Sequence, residues 1–178
     1  MKLIIIRHGQ TDGNVKGLVQ GAGLDLPLNE NGRAQAAVAV DKLQAYQLPV
    51  IYSSTMLRAR QTAEIIAAGL GCPTVVAEGL EEVHFGEAEG MLSEDAHRVY
   101  GDVFEVINNE ENPGRFDVSL PGGESINQST ERGMEALCGI AAKNGHAVVG
   151  VVTHGALMFN LYYRAFKQMR RFDTVSYT

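Results

Sequence analysis

Four consecutive apolar residues near the start of the chain, Leu3–Ile6, constrain the fold more than any other feature of the sequence. A short run without polar residues is typical of a β-strand buried on both faces, as in parallel sheets covered by helices. Comparable runs occur at Val50–Tyr52 and Ala147–Val152, with a weaker one at Thr74–Ala77. Because helix-like segments separate these runs, the sequence predicts an α/β fold.

The segments between the predicted strands have helical character. Asn29 is suited to cap the first helix, since its short side chain can accept a hydrogen bond from a free backbone N–H group. Helices are predicted over residues 29–46, 55–68, 125–143 and 156–166, with one or two short helices within 93–109 and a last strand at Thr174–Tyr177. This alternation predicts a three-layer α/β/α sandwich around a mostly parallel central sheet.

The chain has 178 residues, a length that suits one domain. We therefore predict a single domain over residues 1–178, in which residues 91–120 form a small helical cap insertion. Apolar residues make up 45% of the chain and charged residues 20%, which is enough apolar material for a packed core.

Charge and cysteine content exclude several classes of function. Fifteen Lys and Arg against 21 Asp and Glu give a net charge of −6, which argues against a general nucleic-acid-binding surface. No apolar stretch is long enough for a membrane span or a signal peptide. Cys72 and Cys138 lack Cys-x-x-Cys spacing and are expected to be free thiols in a reducing compartment. The sequence predicts a cytoplasmic protein without nucleic-acid or membrane partners.

Basic side chains follow three of the predicted strands. Arg7 and His8 come directly after the first strand, Arg58 lies shortly after the second, and His154 follows the late strand at Ala147–Val152. Ligands of open α/β sheets bind beyond the carboxyl ends of the strands, so these four side chains are expected to share one edge. Two guanidinium groups and two imidazoles at one edge indicate a site for a tetrahedral oxyanion such as phosphate.

Each of these residues has an expected part in such a site. An arginine grips phosphate through paired N–H groups, and nearby cations lower the pKa of His8, which keeps it neutral and nucleophilic. Gly9 is interpreted as leaving room for the ligand. Arg58 falls in the first turn of a helix, where the helix dipole also favours anions, while Arg60 is the alternative cation. A satisfied core histidine is the alternative interpretation of His154.

An acidic loop supplies candidates for proton transfer. Its candidate residues are Glu81, Glu82, His84, Glu87 and Glu89. One carboxyl group could act as a general acid toward a leaving alcohol, although the residues alone do not choose among the glutamates. A metal site is the rival hypothesis, but no His-x-x-x-His or other paired helical ligands occur here. His97 and His146 are interpreted as surface residues without a role.

Several short motifs, taken in order, resemble one protein family. They are Arg7-His8-Gly9-Gln10-Thr11 with Asn14, Gln20-Gly21, Asp25-Leu26-Pro27-Leu28, Arg58-Ala59-x-Gln61-Thr62-Ala63, Glu82-Val83-His84-Phe85-Gly86-x-x-Glu89-Gly90, Pro121-Gly122-Gly123-Glu124-Ser125 and Thr153-His154-Gly155. Their order and spacing over residues 3–160 resemble the phosphoglycerate-mutase-like branch of the histidine phosphatase superfamily.

The resemblance implies a role for each matching residue. His8 is implied as the nucleophile that takes the phosphoryl group, and Glu82 as the proton donor to the leaving oxygen. Arg7, Arg58 and His154 are implied to hold the phosphate. The implied substrate-binding residues are Asn14, Gln20, Gly21 and Gly155.

The resemblance also implies a reaction. We expect a phosphatase that hydrolyses a small phosphorylated metabolite through a phosphohistidine, without metal or cofactor. A cap of about thirty residues favours a phosphatase over a mutase, which must shield its phosphohistidine from water. A phosphoglycerate-mutase-type transferase and a non-catalytic phospho-ligand module are the alternatives. A homodimer is compatible with the sequence, which marks no interface. Sugar phosphates, phosphoglycerate and α-ribazole phosphate are the candidate substrates.

The cap and the outer pocket carry less information. The apolar cap residues are expected mainly to attach the cap to the sheet, with an apolar leaving-group pocket as the alternative; they are Val99, Tyr100, Val103, Phe104, Val106 and Ile107. The chain departs from the family pattern at Leu18, Ala88 and Ala156. These departures leave the core motifs intact and weaken any inference about the substrate.

Overall fold

A central parallel sheet organises the structure, a computed structural model that describes residues 2–145, 147–166 and 174–175. Its strands are β1 (Lys2–Arg7), β2 (Ile51–Ser53), β3 (Thr74–Val76), β4 (Val148–Thr153) and β5 (Thr174–Val175). They lie in the order β3-β2-β4-β1-β5, and every neighbouring pair is parallel. The predicted α/β class and parallel sheet are therefore confirmed.

Seven α-helices are described in the same part of the chain. They are α1 (Asp12–Val15), α2 (Glu30–Leu43), α3 (Leu57–Leu70), α4 (Ser93–Val99), α5 (Gly101–Asn108), α6 (Ile126–Asn144) and α7 (Gly155–Asn160). Asn29 caps α2 as predicted, because its side chain accepts a hydrogen bond from the N–H of Gly32. In the same way, Ser125 caps α6 by accepting from the N–H of Gln128.

Alternate residues of the strands face two separate layers of helices. On one face, Ile4 and Ile6 of β1 pack with Ile51 and with buried residues of α2 and α3. On the other face, Ile5 packs with Val151 and with buried residues of α6 and α7. Since successive strand side chains point to opposite faces, these two clusters give the predicted three-layer sandwich.

Residues 91–120 contain α4, α5 and a short 3-10 helix, Pro113–Phe116. Buried Ala96 and Leu120 form a small apolar cluster with Ala88, against which Tyr100, Val103 and Phe104 pack. These residues therefore pack the segment against the loop that contains Ala88, and not directly against the sheet as expected. Phe104 also lines a cavity together with Ile107, and the alternative of a leaving-group pocket stays a prediction.

Some predictions of local structure were wrong or untested. No helix was predicted between the first strand and Leu28, where the structure has α1. The helix expected over Ala156–Phe166 continues beyond α7 as a π-helix at Leu161–Phe166. The predicted last strand is observed at Thr174–Val175, whereas residues 176–177 and His146 lie outside the described residues. None of the helices that the structure describes is long and apolar enough to cross a bilayer. Cys72 and Cys138 are free.

Candidate active site

The carboxyl ends of β1, β2 and β4 bring the predicted phosphate-binding residues together. Arg7 pairs with Thr153 in the parallel register, and the N–H of His8 donates to the Thr153 carbonyl at 2.9 Å. This backbone bond fixes the end of β1 beside the end of β4, which leads directly into His154. The two imidazole rings lie with their centroids 5.1 Å apart.

The hydrogen bonds of His8 define its tautomer. Its Nδ1 lies 2.7 Å from the carbonyl oxygen of Gly9, which can only accept, so Nδ1 carries the proton. On the other side of the ring, Nε of Arg58 donates to Nε2 at 3.3 Å. The lone pair of His8 is therefore on Nε2, the atom that faces the cationic side of the site.

Burial and charge keep His8 neutral. Burial lowers its pKa from the usual 6.5 to about 3; the Gly9 hydrogen bond opposes this effect, while the charges of Arg58 and Arg7 add to it. A neutral imidazole with a free lone pair is the nucleophilic form. Thus the environment supports the form of His8 that the sequence predicts.

Arg58 is held from behind by the loop that precedes α2. It is 1% exposed, and its Nη1 and Nη2 donate to the carbonyl oxygens of Leu24 at 3.0 Å and Gly21 at 2.8 Å. Asp25 accepts from the N–H of Leu57 at 2.9 Å and lies 3.6 Å from Arg58 Nη1. Asp25 thus fixes both the start of α3 and the arginine in its first turn.

His154 presents an unused nitrogen in a buried position. Its Nε2 lies 2.8 Å from the Ser54 hydroxyl oxygen, while its Nδ1 is buried without a hydrogen-bond partner among the described residues. Burial lowers the pKa of His154 well below its usual value, and the charge of Arg58 acts in the same direction. An unpartnered polar nitrogen in a buried site indicates that a ligand oxygen completes it. Within the described residues, His154 is therefore not a fully satisfied core histidine.

Arg7 lies on the open side of the same site. It is exposed, and its guanidinium makes no hydrogen bond to the described residues. A Cβ atom on Gly155 would lie 3.2 Å from Nε and 3.3 Å from Cζ of this arginine. The glycine after His154 therefore keeps space for Arg7, whose N–H donors are available to an anion.

Glu82 approaches from the loop that follows β3. It is 9% exposed, its Oε1 accepts from the N–H groups of Val83 and Leu157, and its Oε2 accepts from the N–H of Ala156 at 3.1 Å. The carboxyl group is thereby held against the first turn of α7, immediately after His154 and Gly155. Oε2 makes one backbone hydrogen bond fewer than Oε1, so it retains capacity for an exchangeable proton.

The remaining predicted residues lie around this centre. Asn14 accepts through Oδ1 from the backbone and hydroxyl of Thr11, which leaves its Nδ2 donor for a ligand. Gln20 is buried, and its Oε1 lies 2.9 Å from the same hydroxyl oxygen, whose single proton can be donated to only one of the two amides at a time. Gly21 adopts φ +55° and holds Arg58 through its carbonyl oxygen. Among the described residues, neither Nδ2 of Asn14 nor Nε2 of Gln20 makes a hydrogen bond, whereas the carbonyl of Gly21 supports Arg58.

A close backbone contact accounts for the glycine at position 9, while its expected role toward a ligand stays a prediction. A Cβ atom at Gly9 would lie 2.4 Å from the carbonyl oxygen of Gly32, at the start of α2. Glycine is thus required because two backbone segments pack closely, and no ligand is needed to explain it.

Most other acidic-loop candidates have structural partners. Glu81 pairs with Arg132 at 3.5 Å, and Glu89 accepts from the N–H groups of Ala22 and Phe85. Within the described residues, no group of three or more His, Cys, Asp or Glu side chains is arranged to hold a metal ion. Arg60, the alternative cation, is exposed on α3.

Two supporting residues were not singled out from the sequence. The hydroxyl of Thr62 accepts from the N–H of Gly9 at 3.0 Å and donates to the carbonyl of Arg58 at 2.8 Å. Ser54 contacts His154 and accepts from the N–H of Met56 at 3.2 Å. Thr62 follows Arg58 by one helical turn, a spacing that could have indicated it, whereas nothing in the sequence pairs Ser54 with His154.

Comparison with known proteins agrees with this geometry. The model of the histidine phosphatase superfamily (branch 1) matches residues 3–176. Phosphoglycerate mutase-like protein 4 of Arabidopsis thaliana is 33% identical over 177 residues, which cover 98% of this chain and 75% of that protein. The metal-independent phosphoserine phosphatase of the same plant is 36% identical over 166 residues, covering 92% and 68%.

Solved structures give the same result. Mycobacterial glucosyl-3-phosphoglycerate phosphatase, solved with VO3, superposes with a TM-score of 0.80 at 29% identity, covering 89% of this chain and 77% of that one. The fold and site define an α/β protein with a buried neutral histidine beside a buried arginine at one edge of the sheet. The chain belongs to the histidine phosphatase superfamily.

Proposed function

We propose that this protein is a phosphatase that hydrolyses a small phosphomonoester through a phosphohistidine at His8. The observation that carries the proposal is the lone pair of a buried, neutral His8 facing the guanidinium of Arg58 at 3.3 Å. Relatives named phosphatases, including the metal-independent phosphoserine phosphatase, bear out the predicted class of enzyme.

The first step transfers the phosphoryl group to the enzyme. Nε2 of His8 attacks phosphorus, and the bond from phosphorus to the leaving oxygen breaks as that oxygen takes the proton of Glu82. The Nδ1 proton stays on its hydrogen bond to Gly9, so the phosphorylated ring becomes an imidazolium. Charge on the equatorial oxygens is stabilised by Arg7, Arg58 and Nδ1–H of His154.

The second step releases phosphate. Water attacks phosphorus as Glu82, now a carboxylate, accepts its proton, and the electron pair of the broken N–P bond returns to Nε2 of His8. Asn14 Nδ2 is a further donor to the phosphoryl oxygens in this proposal. The enzyme requires no metal, because the arginines supply the positive charge.

A mutase is the second candidate, because relatives named phosphoglycerate mutases also match the chain. The match covers 66% of the Beijerinckia indica mutase, so the rest of that mutase has no counterpart in the matched part of this chain. A small cap supports hydrolysis, since it offers less shielding of a phosphohistidine from water.

Hydrolysis of 4-nitrophenyl phosphate in excess chelator tests the proposal, with wild type compared with His8→Ala. Turnover that resists chelator and falls by several orders of magnitude in His8→Ala is expected. Turnover that survives His8→Ala would exclude the mechanism. Phosphate exchange between phosphoglycerates without net release of phosphate would identify a mutase.

A further inference from the structure

The loop that carries Glu82 has no regular secondary structure to fix its backbone. Between the end of β3 and the 3-10 helix Gly86–Ala88, residues 77–85 belong to neither a helix nor a strand. The backbone N–H and C=O groups of such a segment need partners from elsewhere in the protein. The position of the proposed general acid therefore depends on the side chains that supply these partners.

One arginine of α6 binds three carbonyl oxygens of this loop. Nη1 of Arg132 donates to the carbonyl oxygens of Gly79 at 2.9 Å and Glu81 at 3.2 Å. Its Nη2 donates to the carbonyl oxygen of Glu82 at 3.4 Å. The turn also packs directly on α6, since a Cβ atom at Gly79 would lie 2.9 Å from that of Ala136. A single side chain thus holds the backbone of the general acid and of the residues before it.

Glu124 binds both Arg132 and the far side of the same loop. It accepts from Nε and Nη2 of Arg132 at 2.9 and 2.8 Å. Its Oε2 also accepts from the N–H of His84 at 3.1 Å, and its own N–H donates to the His84 carbonyl at 2.7 Å. Burial raises the pKa of Glu124, but the hydrogen bonds from Arg132 and from the N–H of His84 lower it overall. A charged pair therefore brackets residues 79–84, with Glu82 inside.

The carboxyl group of Glu82 is bound from another direction by α7. It accepts from the N–H groups of Ala156 and Leu157, which lie in the first turn of that helix and have no partner within it. The backbone of Glu82 is held by α6 and its side chain by α7, so a shift of the loop would displace the carboxyl group. A displacement of about 1 Å at a catalytic group can lower the rate by about 10².

The donors of Arg132 are used within the protein. A guanidinium has five N–H groups, and those of Arg132 bind three carbonyl oxygens and both oxygens of Glu124, with the Glu81 carboxylate at 3.5 Å. Arg132 is also not among the described residues that border the cavity beside the loop, whereas Glu124 is. Any effect of Arg132 on the reaction must therefore pass through the loop.

We propose that Arg132, paired with Glu124, is a positioning residue that fixes Glu82 for proton transfer to the leaving oxygen. This inference rests on the proposed phosphatase function, in which Glu82 gives up its proton in the first step. Only esters whose leaving group needs that proton should then depend on Arg132. An arginine that merely stabilises the fold would affect all esters alike.

Benzyl phosphate and 4-nitrophenyl phosphate separate these two roles. The benzyl alkoxide needs a proton as it leaves, whereas 4-nitrophenolate does not. In Arg132→Met, kcat/KM for benzyl phosphate is expected to fall by about tenfold or more, while kcat/KM for 4-nitrophenyl phosphate changes by less than about twofold. The comparison uses kcat/KM because hydrolysis of the phosphohistidine, which is common to both esters, does not contribute to it. An equal loss for the two esters would overturn the proposal.

A double-mutant cycle tests whether Arg132 acts through Glu82. In the Glu82→Gln background no proton remains to be positioned, so adding Arg132→Met should not lower kcat/KM for benzyl phosphate further. Additive losses would overturn the proposal. If Glu82→Gln slows both esters equally, the proposed function loses its general acid and this inference falls with it. If Glu82→Gln is selective and Arg132→Met is not, this inference alone fails.

Two further variants keep the test independent of folding. Lys143→Met is the matched control, because Lys143 is an exposed cation of the same helix; it should leave both kcat/KM values unchanged. Arg132→Lys keeps the charge but cannot bind three carbonyl oxygens and a carboxylate together, so it should recover part of the loss. If Arg132→Met does not fold, Arg132→Lys replaces it with a smaller loss confined to benzyl phosphate. A wild-type ratio of the two kcat/KM values would then overturn the proposal.

Amide hydrogen exchange followed by NMR gives a readout that needs no turnover. The N–H groups of Ala156 and Leu157 are protected through the Glu82 carboxyl group. In Arg132→Met these two should exchange several-fold faster than in wild type, while the N–H groups of the buried strand β4 keep their wild-type rates. Unchanged exchange at Ala156 and Leu157 would overturn the proposal, and a faster exchange throughout β4 would show a structural role only.

Discussion

Nε of Arg58 donates a hydrogen bond to Nε2 of His8 at 3.3 Å, so the guanidinium lies against the nitrogen that carries the lone pair. The other nitrogens of Arg58 are bound by the carbonyl oxygens of Leu24 and Gly21. The arginine is thus oriented before any substrate arrives, and reorganisation during the reaction is small. Preorganised charge of this kind is usually the largest contribution to transition-state stabilisation.

The acid limb of the pH–rate profile should lie far below the usual histidine range. In the proposed mechanism His8 reacts as the neutral form. Its pKa is lowered to about 3 by burial, with Arg58 and Arg7 adding to the effect against the Gly9 hydrogen bond. After correction for substrate ionisation, the nucleophile should therefore remain active down to about pH 4. In Arg58→Met the limb should move upward, with kcat/KM lower by a factor of about 10² or more.

Arg60→Met is the control for this shift, because Arg60 is exposed on the same helix. It should leave both the limb and kcat/KM unchanged. An acid limb near pH 6.5 in wild type would contradict the neutral, desolvated state of His8.

Stability should fall as the solution becomes acidic. The pKa values of His8 and His154 are lowered in the fold, so below pH 6.5 the unfolded chain binds protons that the folded chain does not. For His8 this loss extends from about pH 6.5 to about pH 3, at about 1.4 kcal/mol per pH unit. Urea unfolding of His8→Asn should accordingly show a shallower pH dependence than wild type between pH 7 and 5.

The exposed His97 provides a matched variant for that experiment. His97→Asn should retain the pH slope of wild type. Identical slopes for wild type and His8→Asn would mean that His8 titrates alike in the folded and unfolded chains.

Glu82→Gln should slow the hydrolysis of different substrates to different extents, depending on the acidity of the leaving group. The variant cannot supply a proton, so a phosphate ester of a poorly acidic alcohol should lose about 10²–10⁴ in rate. 4-Nitrophenolate leaves without protonation, so the rate of the phosphorylation step with 4-nitrophenyl phosphate should fall much less. Glu87→Gln, at an exposed position of the same loop, should affect neither. A uniform loss across leaving groups would argue that Glu82 only supports α7.

Ser54→Ala should weaken the contribution of His154. The Ser54 hydroxyl lies 2.8 Å from Nε2 of His154. By donating to that nitrogen, it keeps the proton on Nδ1, which has no hydrogen-bond partner among the described residues. Loss of this hydroxyl should lower kcat by about tenfold, within the energy of one buried hydrogen bond. In a double-mutant cycle, adding His154→Asn should remove most of that effect. Full additivity of the two substitutions would contradict a positioning role for Ser54.

The sequence predicted those parts of the site whose position depends on strand geometry alone. Arg7, His8 and His154 directly follow apolar strands, and parallel strands bring their carboxyl ends to one edge, so their meeting could be inferred. Glu82 was different, because several glutamates share its loop and only the family pattern selected it. The contacts to the start of α7 that hold this carboxyl group depend on a loop path that no periodicity describes.

The burial of Arg115, in the 3-10 helix Pro113–Phe116 of the cap, could not be predicted from the sequence either. Its neighbours in sequence, Asn112-Pro113-Gly114, predict a loop, and an arginine in a loop is ordinarily exposed. Its burial arises from packing between the cap and Tyr163, which lies 48 positions further along the chain. Contacts between distant segments of this kind are set by tertiary structure, so composition and spacing could not reveal them.

The most direct test of the account is to trap the phosphorylated enzyme. Wild-type protein, mixed with a phosphomonoester and quenched in alkali within the first turnover, should carry one phosphoryl group that is stable to base and labile to acid. Peptide mapping should place this group on Nε2 of His8, and His8→Ala should carry none. A phosphoryl group on another residue, or rapid turnover with no trapped intermediate in either protein, would contradict nucleophilic catalysis by His8.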